Sequence, residues 1–308
     1  YPLIFKHLFA TVLMCFIFKV ISILFNPDNW IGLVICAIVM VIVGTIVYFV
    51  ITKVFNFYGG KQMKRIGLVV AYDGTNYCGW QTQPNGITVQ GVLNETLSEL
   101  LGEKIETIGA SRTDAGVHAM GNVAVFDTNT RIPGEKISYA LNQRLPEDIR
   151  IQLSEEVEPD FHPRYCDSEK TYEYRILNRK FPVPTERLYT YFYHYKLDVD
   201  KMKAATSYLI GQHDFASFCG AKAQVKTTIR TVTGIDVWRD GDIVTIRVTG
   251  TGFLYNMVRI ISGTLIEVGN GQYPPERVKT ILEACNREMA GPTAPAQGLT
   301  LMGIEFFD

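Results

Sequence analysis

The chain has 308 residues, 47% hydrophobic and 20% charged, with 30 Lys and Arg against 31 Asp and Glu. That composition allows about two globular domains and excludes collagen-like, disordered and disulfide-scaffold classes. The charge is uneven: residues 1–62 sum to +3 and residues 63–308 to −4, so a nucleic-acid partner of the larger part must meet a local basic patch.

In chain order, Leu3 to Phe25 is apolar but interrupted by Lys6 and Lys19. Asn26-Pro27-Asp28-Asn29 reads as a turn, and Trp30 to Thr52 is a 23-residue run without a charge. A helix of that length crosses a bilayer core of about 30 Å. The pattern predicts a transmembrane helical hairpin over residues 1–58. Lys6 at one end and Lys53, Lys61, Lys64 and Arg65 at the other place both ends in the cytoplasm. The segment resembles the last two helices of a polytopic carrier such as a polysaccharide exporter. The chain opens on Tyr1, residues 59–62 form a short joint, and Met63 begins a self-contained sequence. Two joined reading frames are therefore expected.

Beyond Met63, Arg65 to Asp73 reads as a buried strand, and Val89 to Leu101 as a helix with Val89, Val92, Leu93, Leu97, Leu100 and Leu101 on one face. A strand over 105–110, a helix over 134–145, and strands over 149–157 and 171–177 follow. The second part continues with a helix over 199–210, strands over 231–238 and 243–249, a helix over 255–268, a helix after Pro274-Pro275, and a last strand over 301–307. Strands and helices mix without a βαβ rhythm, which predicts an α+β fold with largely antiparallel sheets. The division expected is an N-terminal α+β half over 63–168 and a C-terminal α+β half over 169–308.

The six cysteines (Cys15, Cys36, Cys78, Cys166, Cys219, Cys285) are scattered without a CxxC, which argues against a zinc site or a disulfide framework and for free thiols in a reducing compartment. No Walker, GxSxG, HExxH or dinucleotide fingerprint occurs, and Gly250-Thr251-Gly252 lacks the third glycine. Asn94-Glu95-Thr96, a chance glycosylation match, falls inside a predicted helix.

The most informative stretch is Gly109 to His118, GASRTDAGVH. Its small residues let a ligand approach the backbone. Asp114 is the only carboxylate between Glu106 and Asp127. An acid in such a loop is a turn former or a reactive group, and the neighbouring Arg112, Thr113 and His118 favour the second. Around 170–177 the alternation puts Tyr172 and Tyr174 on one face. Beyond it Arg179, Lys180 and Arg187 interleave with Tyr189, Tyr191, Tyr193 and Tyr195, a pattern that suits base stacking beside phosphates or a half-buried sheet. Arg259, within an apolar helix, either snorkels to water or pairs with a carboxylate; from the residues alone snorkelling is favoured. His213-Asp214 reads as a catalytic pair or as a helix C-terminus.

Taken together, Tyr72-Asp-Gly-Thr-Asn-Tyr-Cys-Gly-Trp80-Gln, Val89-Gln-Gly-Val-Leu, Ser111-Arg-Thr-Asp114-Ala-Gly-Val-His118, Lys170-Thr-Tyr172-Glu-Tyr-Arg, Gly211-Gln-His-Asp214-Phe, Phe253-Leu-Tyr-Asn-Met-Val-Arg259 and Thr293-Ala-Pro-Ala-Gln-Gly-Leu299 resemble, in order, the TruA type of tRNA pseudouridine synthase. The resemblance spans Met63 to Asp308. It departs at Ser111, where glycine is often found, and leaves residues 1–62 without a counterpart. It implies two similar α+β halves sharing an antiparallel sheet around a central cleft. It implies Asp114 as the catalytic carboxylate, Arg259 as its partner, Tyr172 stacking on uracil, Arg112 in base flipping, and Leu299 as an apolar wall. It further implies a homodimer acting on uridine at positions 38 to 40 of the tRNA anticodon stem-loop, with no metal or organic cofactor. Residues 63–308 would then be cytoplasmic, and tied to a membrane only through residues 1–58.

Breaking a glycosidic bond builds positive character on the sugar, which a carboxylate stabilises. Burial raises the pKa of such a carboxyl and a nearby guanidinium lowers it; for Asp114 the guanidinium of Arg259 is expected to win. Two other readings are a non-catalytic RNA-binding module on this scaffold, and a membrane-carrier fragment with a passenger domain. Binding of tRNA is expected to be strongly salt-dependent, through one basic cleft.

Overall fold

A computed structural model describes residues 63–220 and 225–307, together with residues 19, 34, 37–39, 41–49 and 53, all of the latter helical. Contacts divide the chain into two units, Tyr1–Gln62 and Met63–Asp308. Most of the hairpin expected over 1–58, and the whole joint at 59–62, lie outside the described residues. Among the described residues no helix is long and apolar enough to cross a membrane, so the hairpin finds no support.

The Met63–Asp308 unit is built on one ten-stranded sheet. Strand β1 (Lys64–Tyr72) pairs antiparallel with β3 (His118–Thr128) on one side and β4 (Ile149–Val157) on the other. The sheet continues from β3 through β10 (Leu299–Phe306), β5 (Ser168–Asn178), β9 (Ile243–Gly250) and β8 (Ile229–Asp240) to β7 (Gly211–Asp214) at the edge. Short β2 (Ile108–Gly109) hangs on β3 and β6 (Tyr191–Tyr193) on β5. The sheet is largely antiparallel, as the strand pattern predicts, but it is mixed rather than wholly antiparallel. The closing strand β10 enters between β3 and β5; its antiparallel register on β5 leaves it parallel to β3, through Thr300–His118 and Leu301–Ala119. Strand β6 is also parallel to β5.

This arrangement positions the site. The seam β3–β10–β5 brings the loop that enters β3 at His118, the start of β10 at Leu299 and Tyr172 of β5 to one region of the sheet. Leu299 pairs with Tyr174, and Leu301 with Tyr172.

Helix α1 (Val89–Leu101) has the predicted bounds. Thr88 caps it by accepting from the Gly91 amide at 3.2 Å, and Gly102 ends it at φ 67°, where glycine carries no Cβ penalty. Val89, Leu93 and Leu97 are fully buried, each contributing roughly 1.5–3 kcal/mol. Side chains of α1 also help explain why only Ile108–Gly109 of the expected 105–110 strand forms: Ser98 Oγ takes the Ile105 amide and Asn94 Oδ1 the Thr107 amide, withdrawing both from a ladder. Helix α2 (Gly134–Asn142) ends early, where Asn142 turns its side chain to the backbone of Ile151. Helices α3 (Val199–Thr206), α4 (Met257–Gly269) and α5 (Arg277–Ala284) follow. Strand β3 escapes the pattern because it is buried on both faces, so hydrophobicity does not alternate along it.

Candidate active site

Asp114 sits in the loop between β2 and β3, and hydrogen bonds hold that loop at nearly every residue. Asn122, fully buried on β3, brackets Ser111: its Oδ1 accepts from the Ser111 amide at 3.2 Å and its Nδ2 donates to the Ser111 carbonyl at 3.0 Å. The Ser111 hydroxyl lies 2.8 Å from the Tyr172 hydroxyl, and the Thr113 hydroxyl 2.7 Å from that of Tyr72. The Trp80 amide donates to the Thr113 carbonyl at 3.1 Å, and the Val117 amide closes a turn on the Asp114 carbonyl, also at 3.1 Å. The 72–80 motif is therefore the cradle of the Asp114 loop. Gly79, at φ 89°, has room for no more than hydrogen, since a Cβ there would stand 2.6 Å from the Thr113 carbonyl.

Across the site, α4 supplies Arg259. Its Nη1 lies 3.5 Å from Asp114 Oδ2 and donates to Asn256 Oδ1 at 2.9 Å, while its Nε donates to the Ala294 carbonyl at 2.7 Å. The Ala294 amide returns a bond to the Arg259 carbonyl at 3.1 Å, so the 293–299 motif is stitched to the helix. Snorkelling is thus corrected to pairing. Helix α4 is buried nearly all round, including Ser262 and Thr264, and a Cβ on Gly263 would collide with the Pro292 carbonyl. With that much of the helix covered, the guanidinium turns toward Asp114, and the Arg259 side chain keeps only 17% exposure.

A cleft of about 710 Å³ opens here, within the roughly 300–1,000 Å³ usual for ligand sites. Asp114, Arg112, Tyr172 and Leu299 all line it, with Phe253 and Asn256. Arg259 reaches the same carboxylate from α4. Tyr172 meets Phe253 edge-on, with ring centroids 5.3 Å apart, which fixes the tyrosine plane. Burial pushes the Tyr172 hydroxyl up to about 12, so it stays protonated. Leu299 is buried and Arg112 exposed at the mouth.

The expected effect on Asp114 is overturned. Burial raises its pKa above the ordinary carboxylate value, and the charge and hydrogen bond of Arg259 offset this only in part. At 3.5 Å the guanidinium stands off the carboxylate, and two of its donors are committed to Asn256 and Ala294. A more basic carboxylate is also a better nucleophile or base while it remains ionised.

The sequence reading missed two residues here. Asn256 holds the left-handed conformation at φ 60°, in which a non-glycine residue is uncommon, and its side chain aims Arg259. Asn122 ties Ser111, and through it Tyr172; an amide within a run of apolar strand residues was the available signal. His213 and Asp214 form no pair. They lie on edge strand β7, with His213 Nε2 on the Ile210 carbonyl at 2.9 Å and Asp214 Oδ1 accepting the Ala216 amide at 3.0 Å. Tyr191 and Tyr193 are half-buried on β6, whereas Tyr189 and Tyr195 are exposed. Among the described residues no cluster of His, Cys, Asp or Glu could hold a metal ion, and Cys78, Cys166, Cys219 and Cys285 are free thiols.

The chain is similar to known proteins over most of its length. The sequence profile of the tRNA pseudouridine synthase family matches residues 68–166 and 205–306. The tRNA pseudouridine synthase A of Acetivibrio thermocellus is 48% identical over 244 residues, which are 79% of this chain and 100% of that protein. That of Thermoanaerobacter pseudethanolicus is 50% identical over 242 residues, covering 79% of this chain and 99% of that protein. That of Clostridium acetobutylicum is 50% identical over 244 residues, covering 79% and 100%. With most of its length matched to the profile and entire relatives aligned at half identity, the chain belongs to the tRNA pseudouridine synthase family.

Proposed function

We propose that this chain isomerises uridine to pseudouridine in tRNA, at positions 38 to 40 of the anticodon stem-loop, with Asp114 as the catalytic carboxylate. The observation that carries this reading is one half-buried carboxylate lining a cleft of about 710 Å³, with Arg259 beside it and Tyr172 in the wall. In the reaction the bond from the sugar to uracil N1 breaks, the base turns, and a bond from the same sugar carbon to uracil C5 forms. The C5 proton is lost and N1 gains one, so nothing is oxidised and no group enters. Asp114 stabilises positive character at the sugar. Arg259 offsets part of the cost that burial places on its charge. Tyr172 offers a flat surface worth about 1–3 kcal/mol of stacking that leaves the base free to turn in plane. Leu299 closes the apolar side, and Arg112 at the mouth fills the gap left by the extruded base, whose unstacking costs a few kcal/mol. Residues 63–168 supply the carboxylate and residues 169–308 the arginine, tyrosine and leucine. The enzyme works as a homodimer in the cytoplasm, and residues 1–62 take no part in the chemistry.

The test uses tRNA tritiated at uracil C5. Asp114→Asn is expected to keep the fold and tRNA affinity while releasing no tritium. Normal release would remove the assignment. Binding by the unaltered chain without any conversion would favour a non-catalytic RNA-binding module.

A further inference from the structure

Three cations line the same cleft as Asp114: Arg112, Arg164 and Lys170. No ion pair among the described residues includes any of them. Elsewhere in the sheet, two other half-buried cations, Lys64 and Arg65, find carboxylates. Lys64 pairs with Glu156 at 2.7 Å, and Arg65 with Asp127 at 2.8 Å. Lys170, half-buried on β5, instead donates to the Ala110 carbonyl at 3.0 Å, and Arg164 Nε donates to the Gly109 carbonyl at 2.8 Å. Those are consecutive carbonyls on the backbone leading into the Asp114 loop, so both side chains are fixed in place. The bonds use one of the three donors on the ammonium and one of the five on the guanidinium. The remaining donors border the cleft.

The three charges also repel one another. Burial and then Arg164 depress the Lys170 pKa, while burial and then Arg112 depress that of Arg164. A fold that holds three like charges together without a counter-ion does so against a cost, and an anion placed among them relieves it. Asp114 does not serve, since its partner is Arg259. On an RNA substrate the anions are phosphodiesters, and a row of cations matches a run of them better than it matches one compact anion.

We infer that Arg164 and Lys170, continuing from Arg112, form an edge that grips the phosphodiesters flanking the extruded uridine, fixing the backbone while the base turns. This rests on the reading that the chain acts on RNA, and it adds two residues that position the substrate without touching the reacting atoms. It also explains how a unit with a net charge of −4 holds a polyanion: the positive charge is concentrated on one side of the cleft.

The test is the salt dependence of tRNA binding, with turnover measured separately. Lys170→Met and Arg164→Met are each expected to weaken binding about tenfold at moderate salt. Each should also lower the slope of log Kd against log salt by about 0.7–0.9, the value for one lost phosphate contact. KM should rise in step, with kcat at saturating tRNA within about threefold, and Lys170→Arg should restore the slope. An unchanged slope accompanied by a lower Tm would overturn the proposal, leaving the two residues as props for the carbonyls of 109 and 110. The readouts separate the two claims. If the unaltered chain converts no uridine but the slope still falls in the variants, the isomerase reading fails and the phosphate edge stands; conversion with an unchanged slope gives the reverse.

Discussion

Two aspartates flank the β1–β3 ribbon, and they are held in opposite ways. Asp73, just after β1, accepts from the Thr75 amide at 2.9 Å, the Thr75 hydroxyl at 2.6 Å and the Tyr189 hydroxyl at 2.7 Å, and lies 3.1 Å from His118 Nδ1. Burial alone would raise its pKa, but the hydrogen bonds from Thr75 and Tyr189, with a smaller contribution from His118, outweigh burial and hold it below the ordinary value. Asp114, just before β3, has a single cationic neighbour at 3.5 Å, and its pKa is raised. The first carboxylate is a fastener whose lone pairs are occupied. The second has its loop tied down at Ser111, Thr113 and Val117 while its own oxygens are left for a substrate. Rigidity around a carboxyl and donors on the carboxyl are separate properties, and only their combination distinguishes a reactive acid from a structural one.

The sharpest way to break this contrast is to neutralise Asp114. Asp114→Asn should lower turnover by at least about 10³-fold, within the range for loss of a positioned catalytic carboxyl. Its stability should move the other way. A carboxyl whose folded pKa lies above its unfolded one disfavours folding once ionised, a cost absent in acid and present above the folded pKa. The asparagine variant should therefore melt at or above the wild-type temperature at pH 7, the difference vanishing as pH falls below the ordinary carboxylate range. Calorimetry across pH checks this, and a large loss of Tm at pH 7 would class Asp114 with Asp73. Next in size is Arg259→Met, expected to cost about 10²–10³-fold in kcat as the ion pair disappears. Because Arg259 lowers the Asp114 pKa, its removal should also move the acidic limb of the kcat profile to higher pH.

Much of this was legible in the sequence because the motifs are local. The bounds of α1 and β4 follow from periodicity and flanking turn residues, and the GASRTDAGVH stretch marked Asp114 by its small neighbours and isolated charge. What escaped depended on distant contacts. The strand character of 118–128 was hidden by burial on both faces, and the parallel insertion of β10 depends on a register set far along the chain. The fate of Arg259 turned on whether the segment around Pro292 covers its helix, which no helical wheel reports. The raised pKa of Asp114 depends on a separation of 3.5 Å rather than on residue types.

The other arm of the contrast predicts smaller effects and concerns stability. Asp73→Asn should leave kcat within about threefold and cost about 1–3 kcal/mol at pH 7, the range for disrupting hydrogen bonds to a partly buried charged group. A depressed folded pKa stabilises the fold above the unfolded pKa and loses that contribution as pH falls through the folded value. The wild-type and variant denaturation midpoints should accordingly converge in acid, the reverse of the Asp114 pattern at neutral pH.

The finest adjustment concerns Asn256, which aims the guanidinium rather than bearing charge. At φ 60° its backbone favours glycine, so Asn256→Gly should fold as well as wild type, with no loss in denaturant midpoint. It removes the acceptor that holds Arg259 Nη1 at 2.9 Å, while the bond from Nε to the Ala294 carbonyl remains. The arginine then keeps its place on α4 but gains freedom at the end that faces Asp114. A fall in kcat of about fivefold with unchanged tRNA affinity is expected, the equivalent of roughly 1 kcal/mol. Asn256→Ala should show the same kinetic loss together with lower stability, because alanine brings a Cβ to the left-handed backbone without the short polar side chain that lets asparagine adopt it. If the glycine variant turned over at the wild-type rate, the Ala294 bond alone would suffice to aim Arg259, and the loop between β9 and α4 would matter for stability rather than for the carboxylate it faces.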